Sequence, residues 1–315
     1  MFLWFSAHID VAFKLLRTLL LSSISLRPTH LGKLMTRVLR HCLILLVLLI
    51  APAARSAPEA CPAVTRVGVS DLGLTSYRED GRIVGLGIEV VTEAARRAGC
   101  KIEVLWFPRQ RLFVELEAGR IDMTIGALRL PERDAYATHI PYAFLQYDLV
   151  LRRRDDRRFA SLADFVQNSG GRLNLTRGVK YDPAIELQLD LLHAAGRLEL
   201  VNDFETVFSK VEMGRADGTL ATPPIYTKYM RQERFRNQLV VIQLPEASPR
   251  LTGFYISRRT TTAAARANYI AAVKTMVADQ SIQTLYGRYF DEAAMKRIFH
   301  PGPGPLTNAL NAVEP

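Results

Sequence analysis

The chain has 315 residues, 49% of them apolar and 23% charged, with a formal net charge of +10. That length exceeds one small domain, and the apolar share excludes a disordered chain. Residues 1–56 hold seven Lys or Arg and one acid, which leaves 34 basic and 30 acidic residues in the rest, too even a balance for a nucleic-acid binder.

Leu43 to Ile50 is a continuous apolar run, too short to span a bilayer as a helix. Arg37, Arg40 and His41 precede it and small residues follow it. Basic start, apolar middle and small-residue exit read as a secretory signal. Cleavage after Ala53 or Ser56 fits the small-x-small rule, and Pro58 disfavours cleavage after Ala57. Met35 stands just before this segment, so translation is expected to begin there. Residues 1–56 are thus a leader, with 1–34 an upstream extension and 35–56 the signal peptide, and the protein is expected in the periplasm. Cys61 and Cys100 remain beyond the leader, in an oxidising compartment where an even pair tends to close. Each lies just before an expected strand, and parallel neighbouring strands would bring the two together.

From Val64 the pattern alternates strand and helix. Val64 to Val69 is a β-branched strand, and Ile88 to Ala98 a helical stripe that stops at Gly99. Lys101 to Phe107 is a strand, Arg109 to Ala118 a helix after Pro108, and Met123 to Leu128 a strand. Such alternation implies parallel strands with right-handed crossovers. Tyr147 to Arg152 reads as a strand that leaves this lobe. A second series runs from Leu162 to Leu244, and Thr252 to Ser257 reads as a strand returning to the first lobe. Helices over Thr262 to Ala278 and Ser281 to Phe290 finish the fold, and His300 onward, rich in Pro and Gly, is expected to be loose.

One phrase occurs twice. Gly119-Arg-Ile-Asp122 and Gly214-Arg-Ala-Asp217 each follow a helix-like stretch and precede a short apolar run. Glycine accepts the left-handed conformation that ends a helix. A repeated helix-cap-strand unit implies two α/β lobes of similar build, with a cleft for a small ligand between them. The expected organisation is residues 57–151 in lobe 1, 152–250 in lobe 2, 251–299 back in lobe 1, and 300–315 as a tail. Hinge motion is expected near Leu151 to Arg154 and Arg250 to Thr252.

The order of these segments resembles the family 3 periplasmic solute-binding proteins. Arg66-Val-Gly-Val69 looks like their opening strand, and Gly81 to Val91 like their turn and first helix. Gly119-Arg-Ile-Asp122 through Pro131-Glu-Arg133 looks like their most specific motif, and Tyr255 to Ser257 with Leu285 to Phe290 like their C-terminal signature. The resemblance implies a type II fold, two lobes each with a mostly parallel sheet flanked by helices and joined by a two-strand hinge. It implies a monomer without cofactor or metal, a small carboxylate-bearing ligand such as an amino acid, and an inner-membrane ABC permease or a sensor as partner. Nucleic acid is not expected. The alternatives are an enzyme on the same fold, similar to cyclohexadienyl dehydratase, with Glu132 or Asp71 as its acid or base, and a sensing module for signalling.

The resemblance gives Arg133 the ligand carboxylate, for which a guanidinium has matching parallel donors. Leu130 replaces the usual capping Thr of that motif. Arg129, Arg109 and Arg111 also follow the carboxyl ends of strands, where ligands bind in parallel sheets. Ala127 is a further candidate contact. On the second lobe, Val179, Lys180 and Tyr181 occupy the turn whose N–H groups face the carboxylate in relatives. Thr222 stands where relatives that bind α-amino acids place an acid, which argues against a standard amino acid ligand. Asp71 is the candidate replacement charge, and Tyr77 is placed like the aromatic that covers the ligand.

Overall fold

The computed structural model describes residues 61–154 and 158–315. The leader and its cleavage site lie outside them. In chain order, lobe 1 opens with β1 (Thr65–Val69), a hairpin of β2 (Tyr77–Glu79) and β3 (Arg82–Val84), and α1 (Leu86–Ala98). It continues through β4 (Ile102–Trp106), α2 (Arg109–Glu117), β5 (Met123–Leu128), the four-residue α3 (Pro131–Asp134) and β6 (Ala137–Leu145). Lobe 2 holds β7 (Asp148–Arg152), α4 (Leu162–Asn168), β8 (Leu173–Thr176), α5 (Pro183–Ala194) and β9 (Leu198–Val201). It ends with α6 (Phe204–Glu212), β10 (Gly218–Ala221), α7 (Pro223–Met230) and β11 (Leu239–Gln243). The chain returns to lobe 1 as β12 (Arg250–Ser257), then α8 (Ala263–Ala278), α9 (Ser281–Gly287), α10 (Glu292–Phe299) and α11 (Pro303–Asn311).

Two five-stranded sheets result, ordered β4-β1-β5-β12-β6 and β11-β7-β10-β8-β9. They are mixed, with four strands of each sheet running one way and a single strand, β12 or β7, running against them. In lobe 1, β4, β1 and β5 run parallel, while β12 and β6 pair antiparallel. In lobe 2, β9, β8 and β10 run parallel, while β7 and β11 pair antiparallel. The reversed strand in each sheet is the one that enters it from a crossover, β7 in lobe 2 and β12 in lobe 1, because it starts at the strand ends where the lobes meet.

Alternating residues of β1 and β5 bury Val67, Val69, Met123 and Ile125. They pack with Val90, Val91 and Ala94 of α1 and with Val273 and Met276 of α8. Gly99, at φ 72°, ends α1 and donates to the carbonyls of Ala95 and Arg96. β1 and β4 are parallel neighbours with Thr65 opposite Ile102, and Cys61 and Cys100 stand side by side across their starts, Cα atoms 5.6 Å apart. Lobe 2 packs on both faces of its sheet. Leu149, Leu173 and Ile185 fill one side, and Val207, Phe208 and Tyr229 fill the other, the last two rings stacked 3.9 Å apart.

Two expectations are corrected. Strands β6 and β7 are separated only by Gln146 and Tyr147, and β11 and β12 by residues 244–249, so the crossovers lie there. Leu151 and Arg250 to Thr252 belong to paired strands instead. Gln146 Nε2 donates to the Ala247 carbonyl at 2.6 Å and ties the two crossovers together. The tail is a helix, not a loose end. Pro303 sits in the first turn of α11, where the missing N–H is harmless, and Gly302 supplies φ 76° just before it. Leu306 and Leu310, one turn apart, are buried in the lobe 1 core. Helices α10 and α11 both pack against β6, a strand buried along nearly its whole length at the sheet edge.

Candidate functional site

A cavity lies between the lobes, at the carboxyl ends of the parallel strands. Lobe 1 lines it with Leu72, Thr75, Arg109, Arg133, Tyr142 and Thr252. Lobe 2 adds Gly178, Val179, Lys180, Thr222, Pro223 and Pro224, and the crossover adds Gln146 and Tyr147. The lobes are in contact around it. A Cβ on Gly73 of lobe 1 would fall 2.4 Å from the Ile225 Cα of lobe 2, and one on Gly178 would fall 3.1 Å from the Gln110 Cα.

Two arginines dominate the charge. Arg109 is the first residue of α2, placed by the extended Pro108 before it. Its Nη2 donates to the Gly126 carbonyl at 3.3 Å, while Nε and Nη1 are sealed from solvent without a partner. Arg133 is 8% exposed, and its guanidinium donates only to the Leu128 carbonyl, at 3.4 Å. Both cations stand on the Phe113 ring, 5.1 Å and 3.4 Å from its centroid. Burial pushes the Arg109 pKa down to about 10, with the neighbouring Arg133 charge adding to the shift. Burial also pushes Arg133 down. Among the described residues no carboxylate is bonded to either one.

The turn that carries Arg133 is held from across the sheet. Leu130 offers no side-chain cap to α3, and the Tyr255 hydroxyl holds the backbone of Leu130 itself. It accepts from the Leu130 N–H at 2.7 Å and lies 3.2 Å from both the Leu130 carbonyl and Asp134 Oδ1. A third arginine enters from the C-terminal segment. Arg297 of α10 lines the cavity and is bonded through Nε and Nη2 to Asp148, the first residue of β7. Tyr226 donates to the same carboxylate at 3.2 Å. Burial pushes the Asp148 carboxyl up to about 6 against the opposing pull of Arg297.

Of the residues singled out from sequence, Arg109, Arg133, Val179, Lys180 and Thr222 line this cavity, and six others lie outside its lining. Arg129 is exposed and paired with Asp134 at 2.8 Å, and Arg111 is exposed and paired with Glu115 at 3.2 Å. Asp71 accepts from the Gly73 N–H at 3.2 Å and faces Lys228 of lobe 2 at 3.6 Å. Lys228 also stands 5.3 Å from the Tyr77 ring. The Ala127 carbonyl is taken by His139 Nε2 at 3.0 Å, and Tyr181 packs its ring 4.7 Å from Tyr147. Sequence reasoning missed Gln146, Tyr147, Thr252 and Arg297. The first two carried a signal, since they fall between two apolar runs where the chain changes lobes. Arg297 carried none, because only tertiary packing brings α10 to the cleft.

Residues 66–292 match the model of the bacterial extracellular solute-binding proteins, family 3. No curated protein matches the chain. Among solved structures, an ancestral arginine-binding protein bound to arginine is similar at 18% identity and TM-score 0.61, covering 73% of this chain and 99% of that one. A histidine kinase sensor domain with similarity to periplasmic binding proteins is 17% identical, with TM-score 0.60, over 72% of this chain and 96% of that one. The ancestral amino-acid-binding protein AncCDT-1, a precursor of cyclohexadienyl dehydratase, is 19% identical, with TM-score 0.59, over 73% and 96%.

Proposed function

We propose, from the premise that the chain belongs to family 3 of the bacterial extracellular solute-binding proteins, that it is a periplasmic receptor for a small carboxylate-bearing ligand and serves an ABC importer. The observation that carries this reading is the pair of buried guanidiniums, Arg133 and Arg109, facing an inter-lobe cavity without a carboxylate partner. Uncompensated buried cations are costly, and an anionic ligand offsets that cost. Ligand contacts from both lobes favour the closed arrangement, with Gly73 against Ile225 and Gly178 against Gln110. The membrane partner then reads the closed surface. The leader directs export, and the Cys61–Cys100 pair is oxidised there as a staple between two strand starts.

We read the chain as a receptor rather than an enzyme because the candidate acid-base groups stand off the cavity. Glu132 is exposed, and Asp71 is engaged with Lys228 and the Gly73 amide. The test is a thermal-shift screen of exported protein against small carboxylates, repeated with Arg133→Ala. Native-state binding raises the melting temperature by mass action. A shift that Arg133→Ala abolishes supports the reading. A shift unchanged in Arg133→Ala, or turnover of a bound compound, overturns it.

A further inference from the structure

We propose that the cleft takes a small dicarboxylate without an ammonium group, one carboxylate held by Arg133 and the other by Arg109; this rests on the receptor reading above. Among the described residues, the charged ones lining the cavity are Arg109, Arg133, Lys180 and Arg297, with no Asp or Glu. Arg297 is already neutralised, because two of its nitrogens hold Asp148. That pairing also commits Asp148, which accepts from Tyr226 as well. Two nearby carboxylates are engaged outside the lining. Asp71 faces Lys228, and Asp182 Oδ1 faces Arg250 at 3.5 Å, its Oδ2 buried without a partner but outside the cavity lining.

Two uncompensated cations therefore remain at the centre of the site, Arg109 and Arg133, with Lys180 exposed at the rim. Elsewhere in the molecule two partly buried arginines have carboxylates, whereas Arg266 and Arg197 are bonded to backbone carbonyls. Arg66 holds Asp122, and Arg97 holds Glu93 and Asp279. A monocarboxylate would neutralise one of the cleft guanidiniums and leave the other repelled and unpaired. A ligand ammonium would be a third cation with no acid to receive it. A dicarboxylate answers both guanidiniums, and the Nε and Nη1 donors of Arg109 gain the acceptors that the protein does not give them. Thr252 Oγ1, buried, unpartnered and lining the same cavity, is a neutral group for the ligand backbone or a carboxylate edge.

Calorimetry on exported protein tests this with matched acids: unbranched dicarboxylates from malonate to adipate, their monocarboxylate counterparts, aspartate and glutamate, and inorganic phosphate. The best dicarboxylate is expected to bind about tenfold or more tighter than its monocarboxylate and than the amino diacids. In Arg109→Gln the gap between dicarboxylate and monocarboxylate is expected to shrink to about threefold or less. Arg129→Ala, an exposed residue outside the cavity, is expected to keep it. If Arg109→Gln fails to fold, the wild-type ranking alone decides. Equal binding of mono- and dicarboxylate overturns the two-group proposal while leaving the receptor reading intact. Aspartate or glutamate binding as tightly as the best diacid overturns the exclusion of an ammonium. Phosphate binding as tightly shows that one group answers both arginines and overturns the proposal. Silence from every carboxylate overturns the receptor reading itself.

Discussion

The two Gly-Arg-x-Asp units build the same backbone in the two lobes and put it to different electrostatic use. Gly119 and Gly214 take φ 75° and 68°. In lobe 1 the Asp122 N–H donates to the Arg66 carbonyl at 2.8 Å, and Asp122 Oδ2 accepts the Arg66 N–H at 2.8 Å. In lobe 2 the Asp217 N–H donates to the Arg172 carbonyl at 2.9 Å, and Asp217 Oδ2 accepts the Arg172 N–H at 2.8 Å. Each aspartate thus stitches the start of its strand to a parallel neighbour. Their surroundings differ. The Asp122 side chain is 4% exposed and grips the Arg66 guanidinium, whereas that of Asp217 is 28% exposed and meets Arg154 at 3.1 Å. The cleft repeats this asymmetry: lobe 1 supplies the buried arginines, and lobe 2 supplies backbone turns, a threonine, prolines and a rim lysine. Equivalent topology leaves the charge of a position free to diverge, because strand-to-strand stitching needs only the aspartate and a backbone amide.

Breaking the stitch should show the largest difference. Asp122→Ala removes a buried acceptor of three hydrogen bonds, two of them from the half-exposed Arg66 guanidinium, so a loss of about 3 kcal/mol is expected in urea unfolding. Asp217→Ala loses a partly solvated acceptor and should cost about 1 kcal/mol. Equal losses would mean that the burial difference has no energetic weight. Ligand binding should divide the lobes next. Arg133→Ala is expected to weaken affinity about 100-fold, the loss of two charge-assisted hydrogen bonds, while Lys180→Ala weakens it about threefold or less because its charge is solvated. Titration calorimetry of both variants compares them directly.

Acid should also act on lobe 1 through one histidine. His139 is buried in β6, and burial pushes its pKa down to about 4. The folded state then binds this proton less readily than the unfolded chain. His139 therefore contributes full stability above about pH 6.5, and that contribution is lost as pH falls from 6.5 toward 4. The loss is expected to reach about 3 kcal/mol near pH 4, and His139→Gln should flatten that part of the pH–stability curve. The lobe 2 histidine, His193, is exposed. An unchanged curve in His139→Gln would assign the acid sensitivity elsewhere.

What was legible in the sequence follows the range of the forces involved. The stripe of α1 and its stop at Gly99 are local, and the structure has both. The parallel strands of each sheet needed only the alternation of elements and the handedness of crossovers. The crossovers were misplaced by several residues because a strand's sheet is set by its partners: Asp148 to Arg152 pair with β10 and β11, which lie far along the chain. The tail was misread because three prolines and two glycines in Pro301 to Pro305 outweighed the Leu306 and Leu310 pair. Those leucines matter only because the edge strand β6 needs cover. In the site, Arg133 and Arg109 were legible from their places after strand ends, while Arg129 and Arg111 share those places and turn to carboxylates of their own. Position along the chain fixes which strand end a side chain starts from, but a neighbouring acid decides whether it reaches the cleft.

The smallest expected effect tests the two glycines where the lobes touch. Gly73 sits at φ 61°, and a Cβ there would lie 2.4 Å from both the Ile225 Cα and the Pro224 carbonyl oxygen, main-chain atoms that no rotamer change can move. Gly178 sits at φ 84°, and its Cβ would lie 3.1 Å from the Gln110 Cα, a gap that a shift of a few tenths of an ångström relieves. Alanine at either position carries a similar local penalty for positive φ, so that cost cancels in the comparison. The remaining difference is steric, and it acts on the closed arrangement alone, because only there do the lobes meet. Gly73→Ala should weaken affinity about tenfold and Gly178→Ala about threefold, through a smaller closed population rather than lost ligand contacts. Small-angle scattering with saturating ligand separates the causes: Gly73→Ala is expected to compact less than wild type. Wild-type affinity and compaction in Gly73→Ala would show that closure does not need this contact, and the asymmetry between the lobes would then stop at their charges.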